Sequence, residues 1–199
     1  MLTQLQLCAT HRWRVKRYRT LRFQPGLNLL IGPNGTGKST VLRAIANCPD
    51  CCRREDGPTE YLLFDAEQMN PRHSVGHIHT PTEMTLHLRA QFSSHGEILQ
   101  AAFTTLQAAP GTCLLLDEPE SAQDFDHILA LRAAMRRAAA RGVQLIVATH
   151  EVLFWEPAHI LELRRGYRER VTRTLCQMKC LHPEHSPARA PKRISGVDK

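Results

Sequence analysis

The stretch Ile31–Ala46 reads IGPNGTGKSTVLRAIA, and its interpretation sets the fold. From Gly32 to Ser39 it is G-x-x-x-x-G-K-S without a mismatch. Gly32, Gly35 and Gly37 let the backbone curl until successive N–H groups converge on an anion. The helix that follows adds its positive N-terminal end. Lys38 is placed to neutralise β- and γ-phosphate charge, and the Ser39 hydroxyl to ligate Mg²⁺. Pro33, Asn34, Thr36 and Thr40 complete the candidate cradle. The flanks agree: LNLLI (27–31) is an apolar strand, and Lys38–Asn47 is a helix with Val41, Leu42, Ala44 and Ile45 on its apolar side.

Two further strands carry chemistry at their carboxyl ends. LLLDEPE (114–120) is an apolar run ending in acids. In a parallel sheet, ligands bind at that end of the strands. Asp117 is the expected Mg²⁺ partner, and Glu118 the residue that orients or deprotonates the attacking water. VQLIVATH (143–150) ends a second apolar strand on His150, a candidate γ-phosphate contact. The 33 positions from Asp117 to His150 leave room for one strand–helix–strand unit.

Around these motifs, LTQLQLC (2–8) alternates as a strand, and HRWRVKRYR (11–19) alternates basic with large residues. LRFQPGLNLLIG (21–32) reads as strand, turn at Pro25-Gly26, and buried strand. Together they suggest an antiparallel ribbon leading into the phosphate loop. The spacing predicts a loop over 48–60, a strand over 61–65, a long connection to 83, and helices over 84–92 and 97–109. It predicts a helix from Asp124 to a stop at Gly142, and a hairpin over 159–175 turning at Arg165-Gly166. The fold class is therefore α/β: a P-loop nucleotide-binding domain with a mostly parallel sheet flanked by helices, plus an N-terminal antiparallel addition. Residues 1–175 form the domain, and 176–199 a basic, flexible tail.

Composition bounds the class. With 199 residues, 42% hydrophobic and 23% charged, the chain is long enough for one packed core and has the balance of a soluble protein. No apolar run reaches the roughly 20 residues a membrane span needs, and the N-terminus is not a secretory signal. A cytoplasmic location is expected. The net charge of +7 is concentrated at the ends. Residues 1–38 contain Arg12, Arg14, Lys16, Arg17, Arg19, Arg22 and Lys38 and no acid, and 164–199 are also basic. Such ends could contact nucleic acid, although a solvated strand face and a loose tail explain them as well. The seven cysteines are odd in number, which argues against a disulfide framework. Cys48, Cys51 and Cys52, and separately Cys176, Cys180, His182 and His185, have spacings a zinc ion could use. Each half is incomplete or irregular, so free thiols are the expectation.

GPNGTGKST, LLLDEPESAQD and IVATH, in that order, resemble the ATP-binding cassette (ABC) ATPases, and most closely their soluble RecF/SMC/OLD-like branch. The resemblance covers roughly residues 20–165. It implies further elements. SSHGE (93–97) is similar to the family signature, with Ser94, Gly96 and Glu97 matching. Gln68 in DAEQMNPR is the counterpart of the Q-loop glutamine, a metal or water contact. SAQD (121–124) is similar to the D-loop. It also implies ATP and Mg²⁺ as cofactors, ATP hydrolysis, and a homodimer in which each ATP lies between one copy's phosphate loop and the other's signature. Transporter cassettes generally have more than the two dozen residues found here between Gln68 and SSHGE. The expectation is therefore DNA repair, recombination or anti-phage defence with an effector such as a nuclease. The alternative is the nucleotide-binding subunit of a membrane transporter. Either Trp13 or Tyr18 could be an aromatic contact for the base.

Overall fold

The structure, a computed structural model, describes residues 1–65, 111–121 and 123–181. The expected helices at 84–92 and 97–109, Gln68, the signature residues Ser94, Gly96 and Glu97, and the chain beyond 181 lie outside them.

Two sheets form the frame. Strands β3 (Leu27–Ile31), β5 (Glu60–Asp65), β6 (Thr112–Asp117), β7 (Gln144–Ala148) and β8 (His159–Glu162) make an all-parallel sheet in the order β5-β6-β7-β3-β8. Strands β1 (Leu2–Gln6), β2 (Thr20–Arg22) and β4 (Cys52–Glu55) make an antiparallel sheet in the order β2-β1-β4. The α/β class and the N-terminal antiparallel addition are as expected.

The central strands are apolar throughout because both their faces are covered. Successive residues go to opposite cores. Leu30, Cys113, Leu115, Ile146 and Ala148 face one cluster, with the antiparallel sheet's Leu2, Leu5 and Leu21 and helix α2 (Lys38–Asn47). Leu27, Leu29, Ile31, Leu114, Leu116, Leu145 and Val147 face the other. There Leu131, Ala134, Met135 and Ala138 supply one stripe of the helix Phe125–Ala140. In chain order this helix is α3, after α1 (Ala9–Arg14) and α2. Asp124 caps it by accepting the His127 N–H at 2.9 Å, and Gly142 (φ 87) ends it.

Two buried polar side chains tie the layers. Gln144 Oε1 accepts from Leu2 N–H at 2.8 Å, while its Nε2 donates to the carbonyls of Leu2 and Gln24. Asn28 Nδ2 donates to the carbonyls of Gln24, Gly26 and Leu145. Both are fully buried, so the lack of such partners would cost about 1–3 kcal/mol each.

Four expectations are corrected. The alternating stretch 11–19 is not a strand: Ala9–Arg14 is α1, begun by the Arg12 N–H donating to the Cys8 carbonyl at 2.9 Å. Its alternation of residue size is not one of burial, since Trp13 is 77% exposed and Val15 fully buried. Strands β2 and β3, although joined by the expected turn, do not pair; β2 joins β1 and β3 enters the parallel sheet. The loop expected at 48–60 contains β4, an edge strand exposed along its length, whose polar sequence carries no apolar alternation. The hairpin expected at 159–175 is β8 followed by α4 (Tyr167–Leu181). Tyr167 and Val171, one helical turn apart, pack on the core, and the Tyr167 N–H donates to Glu162 Oε2 at 3.1 Å. This helix runs past residue 175, where the tail was expected to begin.

Candidate nucleotide site

Strand order assembles the site. β7 lies between β3 and β6, with Ala148 in register with Leu30 on one side and Asp117 on the other. The residues just beyond these strand ends are therefore neighbours: the loop after Ile31, Glu118 after Asp117, and Thr149-His150 after Ala148. The Glu118 N–H donates to the Ala148 carbonyl at 2.9 Å, and the Thr149 N–H to the Leu30 carbonyl at 3.2 Å.

The loop from Gly32 to Gly37 connects β3 to α2. Thr36 closes it on Pro33, its hydroxyl donating to the Pro33 carbonyl at 2.7 Å. Gly37 has φ 93 and begins α2; a Cβ there would lie 2.8 Å from Val15 Cγ2. That position needs glycine for both backbone and space. Asn34, Gly35, Gly37, Lys38, Ser39, Thr40 and Glu118 line a cleft of about 580 Å³, whose other wall is Trp13, Arg14 and Lys16.

Lys38 is buried, with its ammonium aimed back under the loop. Nζ donates to the Gly32 carbonyl at 3.3 Å, lies 2.6 Å from His150 Nε2 and 3.9 Å from Glu118 Oε1. Burial lowers the Lys38 pKa, and the carboxylates of Glu118, Asp117 and Glu120 oppose that shift. Burial, and then the Lys38 charge, lower the His150 pKa. A neutral imidazole accepting from the ammonium fits both. The Ser39 hydroxyl donates to Asp117 Oδ1 at 3.0 Å. This hydroxyl–carboxylate pair is a hard oxygen donor set beside the phosphate cradle and fits a Mg²⁺ ion.

Glu118 stands apart in its backbone. It has φ 46, the one positive φ of a non-glycine residue among the described residues. A strained conformation of this kind costs of order 1–3 kcal/mol and persists only where the surroundings enforce it. Its Oε1 lies 3.4 Å from His150 Nε2 and faces the cleft.

Sequence reasoning missed Glu120. Its Oε1 accepts from the Thr149 hydroxyl and from the His150 N–H, both at 2.7 Å, and so fixes the strand end that carries His150. Burial raises its pKa, against those hydrogen bonds. The pairing of β6 with β7 brings these residues together, and no spacing in the sequence encodes it. Arg14 and Lys16, whose sequence context marks them only as part of a basic end, wall the cleft with Trp13. Tyr18 packs against the core instead.

The structure thus brings together Gly32–Thr40, Asp117, Glu118 and His150. The AAA domain family matches residues 5–58. The cytochrome c biogenesis ATP-binding export protein CcmA of Paracoccus denitrificans is 31% identical over 159 residues, covering 69% of this chain and 76% of its own. CcmA of Rhodospirillum rubrum is 29% identical over 180 residues, covering 72% and 77%. Among solved structures, a putative ABC transporter ATP-binding protein from Pyrococcus furiosus is 17% identical, with a TM-score of 0.47 over 72% of this chain and 88% of that one. The curated relatives are export proteins by name, so they carry the broad family and not the RecF/SMC/OLD-like branch expected from the sequence. The chain belongs to the ABC-type ATPases, the family of the CcmA ATP-binding export proteins, and is an ATP-binding, ATP-hydrolysing protein.

Proposed function

We propose that this chain is the ATP-hydrolysing subunit of a membrane export assembly, in which two copies close on ATP. The observation that carries this reading is the 31% identity to an ATP-binding export protein across 76% of that protein's length. Among the described residues no helix is long and apolar enough to cross a membrane.

The residues have these roles in the proposal. Backbone N–H groups from Gly32 to Thr40 bind the phosphates, and Lys38 leaves His150 to neutralise their charge. Ser39 and Asp117 would hold Mg²⁺, with Gln68 completing its surroundings, and the bound ion would supply charge neutralisation to the transferred phosphoryl group. Glu118 accepts the proton of the attacking water. His150, held by Glu120, donates to the γ-phosphate. Trp13 lies against the adenine ring. Ser94, Gly96 and Glu97 of a second copy close the site, so catalysis is positioning plus electrostatics completed by the partner.

The test is purification of the tagged chain from detergent-solubilised membranes of cells producing it at native level. A multi-spanning membrane protein should accompany it, and ATP hydrolysis should persist in that complex. Recovery of the chain wholly in the membrane-free fraction, with ATP hydrolysis stimulated by DNA and DNA affinity falling steeply with salt, would overturn the export reading in favour of a nucleic-acid role.

A further inference from the structure

Four side chains that take no part in the nucleotide site converge at the far end of α2. Cys8 follows β1 and stands at the N-cap of α1, and His11 is three residues on, within α1. Cys48 caps the C-terminus of α2, and Cys51 is three residues on, just before β4. The two C-x-x-[C/H] pairs are distant in sequence. They meet because β4 pairs with β1, with Cys52 in register with Gln6.

The one ligating atom of each residue lies within 4.8 Å of the other three. Cys8 Sγ is 3.2 Å and Cys51 Sγ 3.4 Å from His11 Nδ1. Tetrahedral zinc, with Zn–S of about 2.3 Å and Zn–N of about 2.0–2.1 Å, sets ligand atoms about 3.5–3.8 Å apart. The observed spacing needs only small side-chain shifts to meet that. Cys51 is buried and the other three partly buried. The Cys8 N–H points at Cys51 Sγ, 3.3 Å away, as outer-shell donors do at metal-bound thiolates.

We propose that Cys8, His11, Cys48 and Cys51 form a structural Cys₃His zinc site. A disulfide would use two of the thiols and leave unexplained why a third and an imidazole nitrogen share the same point. A closed set of four protein ligands leaves no open position, which marks the site as structural and not catalytic. Its role follows from α1. This six-residue helix has no buried residue, and a helix so short does not hold itself together. Yet Trp13 and Arg14 at its end wall the nucleotide cleft, and Val15 packs against Gly37. The ion fastens α1 to the end of α2 and so sets that wall. This last step rests on the nucleotide reading above; the zinc site itself does not.

Elemental analysis of the purified full chain should find one zinc per chain. Cys48→Ser and His11→Ala should each lose at least about tenfold in zinc affinity. Cys52→Ser, next to the cluster but outside it, should keep its zinc. Because a ligand variant can fail to fold, the wild type reconstituted with Co²⁺ is the second measurement. It should show thiolate-to-cobalt charge transfer and tetrahedral d–d bands. X-ray absorption of the zinc form should find three sulfurs at about 2.3 Å and one nitrogen at about 2.0–2.1 Å. Metal-free protein with no cobalt spectrum, a disulfide among these cysteines, or full zinc retention in both ligand variants would overturn the proposal. Chelation should also weaken ATP binding. Unchanged ATP binding after zinc removal would leave the site and overturn its link to the cleft. A zinc-loaded protein that binds no ATP would overturn the nucleotide reading alone.

Discussion

Lys38 Nζ lies 2.6 Å from His150 Nε2, joining the first residue of α2 to the residue two beyond β7. The contact holds the cation under the phosphate loop and keeps the imidazole neutral. Because the His150 pKa is lowered in the fold, the unfolded chain takes up this proton first as pH falls. The favourable contribution is complete above the ordinary value of 6.5 and is lost as pH drops through the lower folded value. Wild-type melting temperature should therefore fall below pH 6.5 more steeply than that of His150→Gln, as calorimetry across pH would show. Parallel curves would contradict the assignment.

Glu120 has the opposite sign. Its folded pKa is raised, so above the ordinary value of 4.5 the unfolded chain ionises first and stability falls as pH rises toward the folded value. Glu120→Gln, which keeps an acceptor for the His150 N–H and the Thr149 hydroxyl, should gain melting temperature relative to wild type as pH rises from 4.5. Glu120→Ala leaves those donors without Oε1 and should lose about 1–3 kcal/mol in denaturant titration.

Gly37→Ala meets two obstacles, φ 93 and Val15 Cγ2 at 2.8 Å, whereas Gly35→Ala meets only its φ of 75 in open space. The backbone term is about 1–2 kcal/mol in each. Gly37→Ala should therefore be the less stable variant in urea unfolding, and Val15→Ala, which itself removes core packing, should cost less in that background than in the wild type. Equal stability of the two alanine variants would contradict the close approach of Val15 to the loop.

Trp13 is 77% exposed, so Trp13→Ala should leave the melting temperature nearly unchanged. If it stacks on adenine, ATP affinity should fall by about 1–3 kcal/mol, the usual size of a base–aromatic contact. Titration calorimetry compares the two affinities, and in the wild type ATP should change the fluorescence of Trp13, since the other tryptophan, Trp155, is buried. Unchanged affinity would remove Trp13 from the site.

The motifs at strand ends were legible because they combine a rigid spacing with an apolar run. LNLLI before the phosphate loop, LLLD before Glu118 and LIVA before Thr149-His150 each needed only local pattern. What the sequence hid depends on pairing between distant segments. β4 is polar on both faces and became a strand only by adding to β1. The hairpin expected at 159–175 failed because Tyr167 and Val171, at helical spacing, bury themselves on the core. Glu120 gained its role from strand order, and Cys8 with His11 met Cys48 and Cys51 through the β1–β4 register, whereas the spacing argument had grouped Cys48 and Cys51 with Cys52. The branch expectation rested on the short antiparallel start that leads into the phosphate loop, and the expected nucleic-acid role on that branch, the basic ends and the short segment before SSHGE; yet Arg14 and Lys16 of the basic N-terminal end wall the nucleotide cleft.

Glu118, strained and facing the cleft, is the proposed base for ATP hydrolysis. The most direct measurement is steady-state ATP turnover by wild type and Glu118→Gln under identical Mg²⁺ and protein concentrations. Turnover should be roughly 10²–10⁴-fold lower in the variant, the span of a positioned general base, with ATP still bound and the dimer accumulating. A Glu118→Gln protein that hydrolyses ATP at the wild-type rate would contradict it.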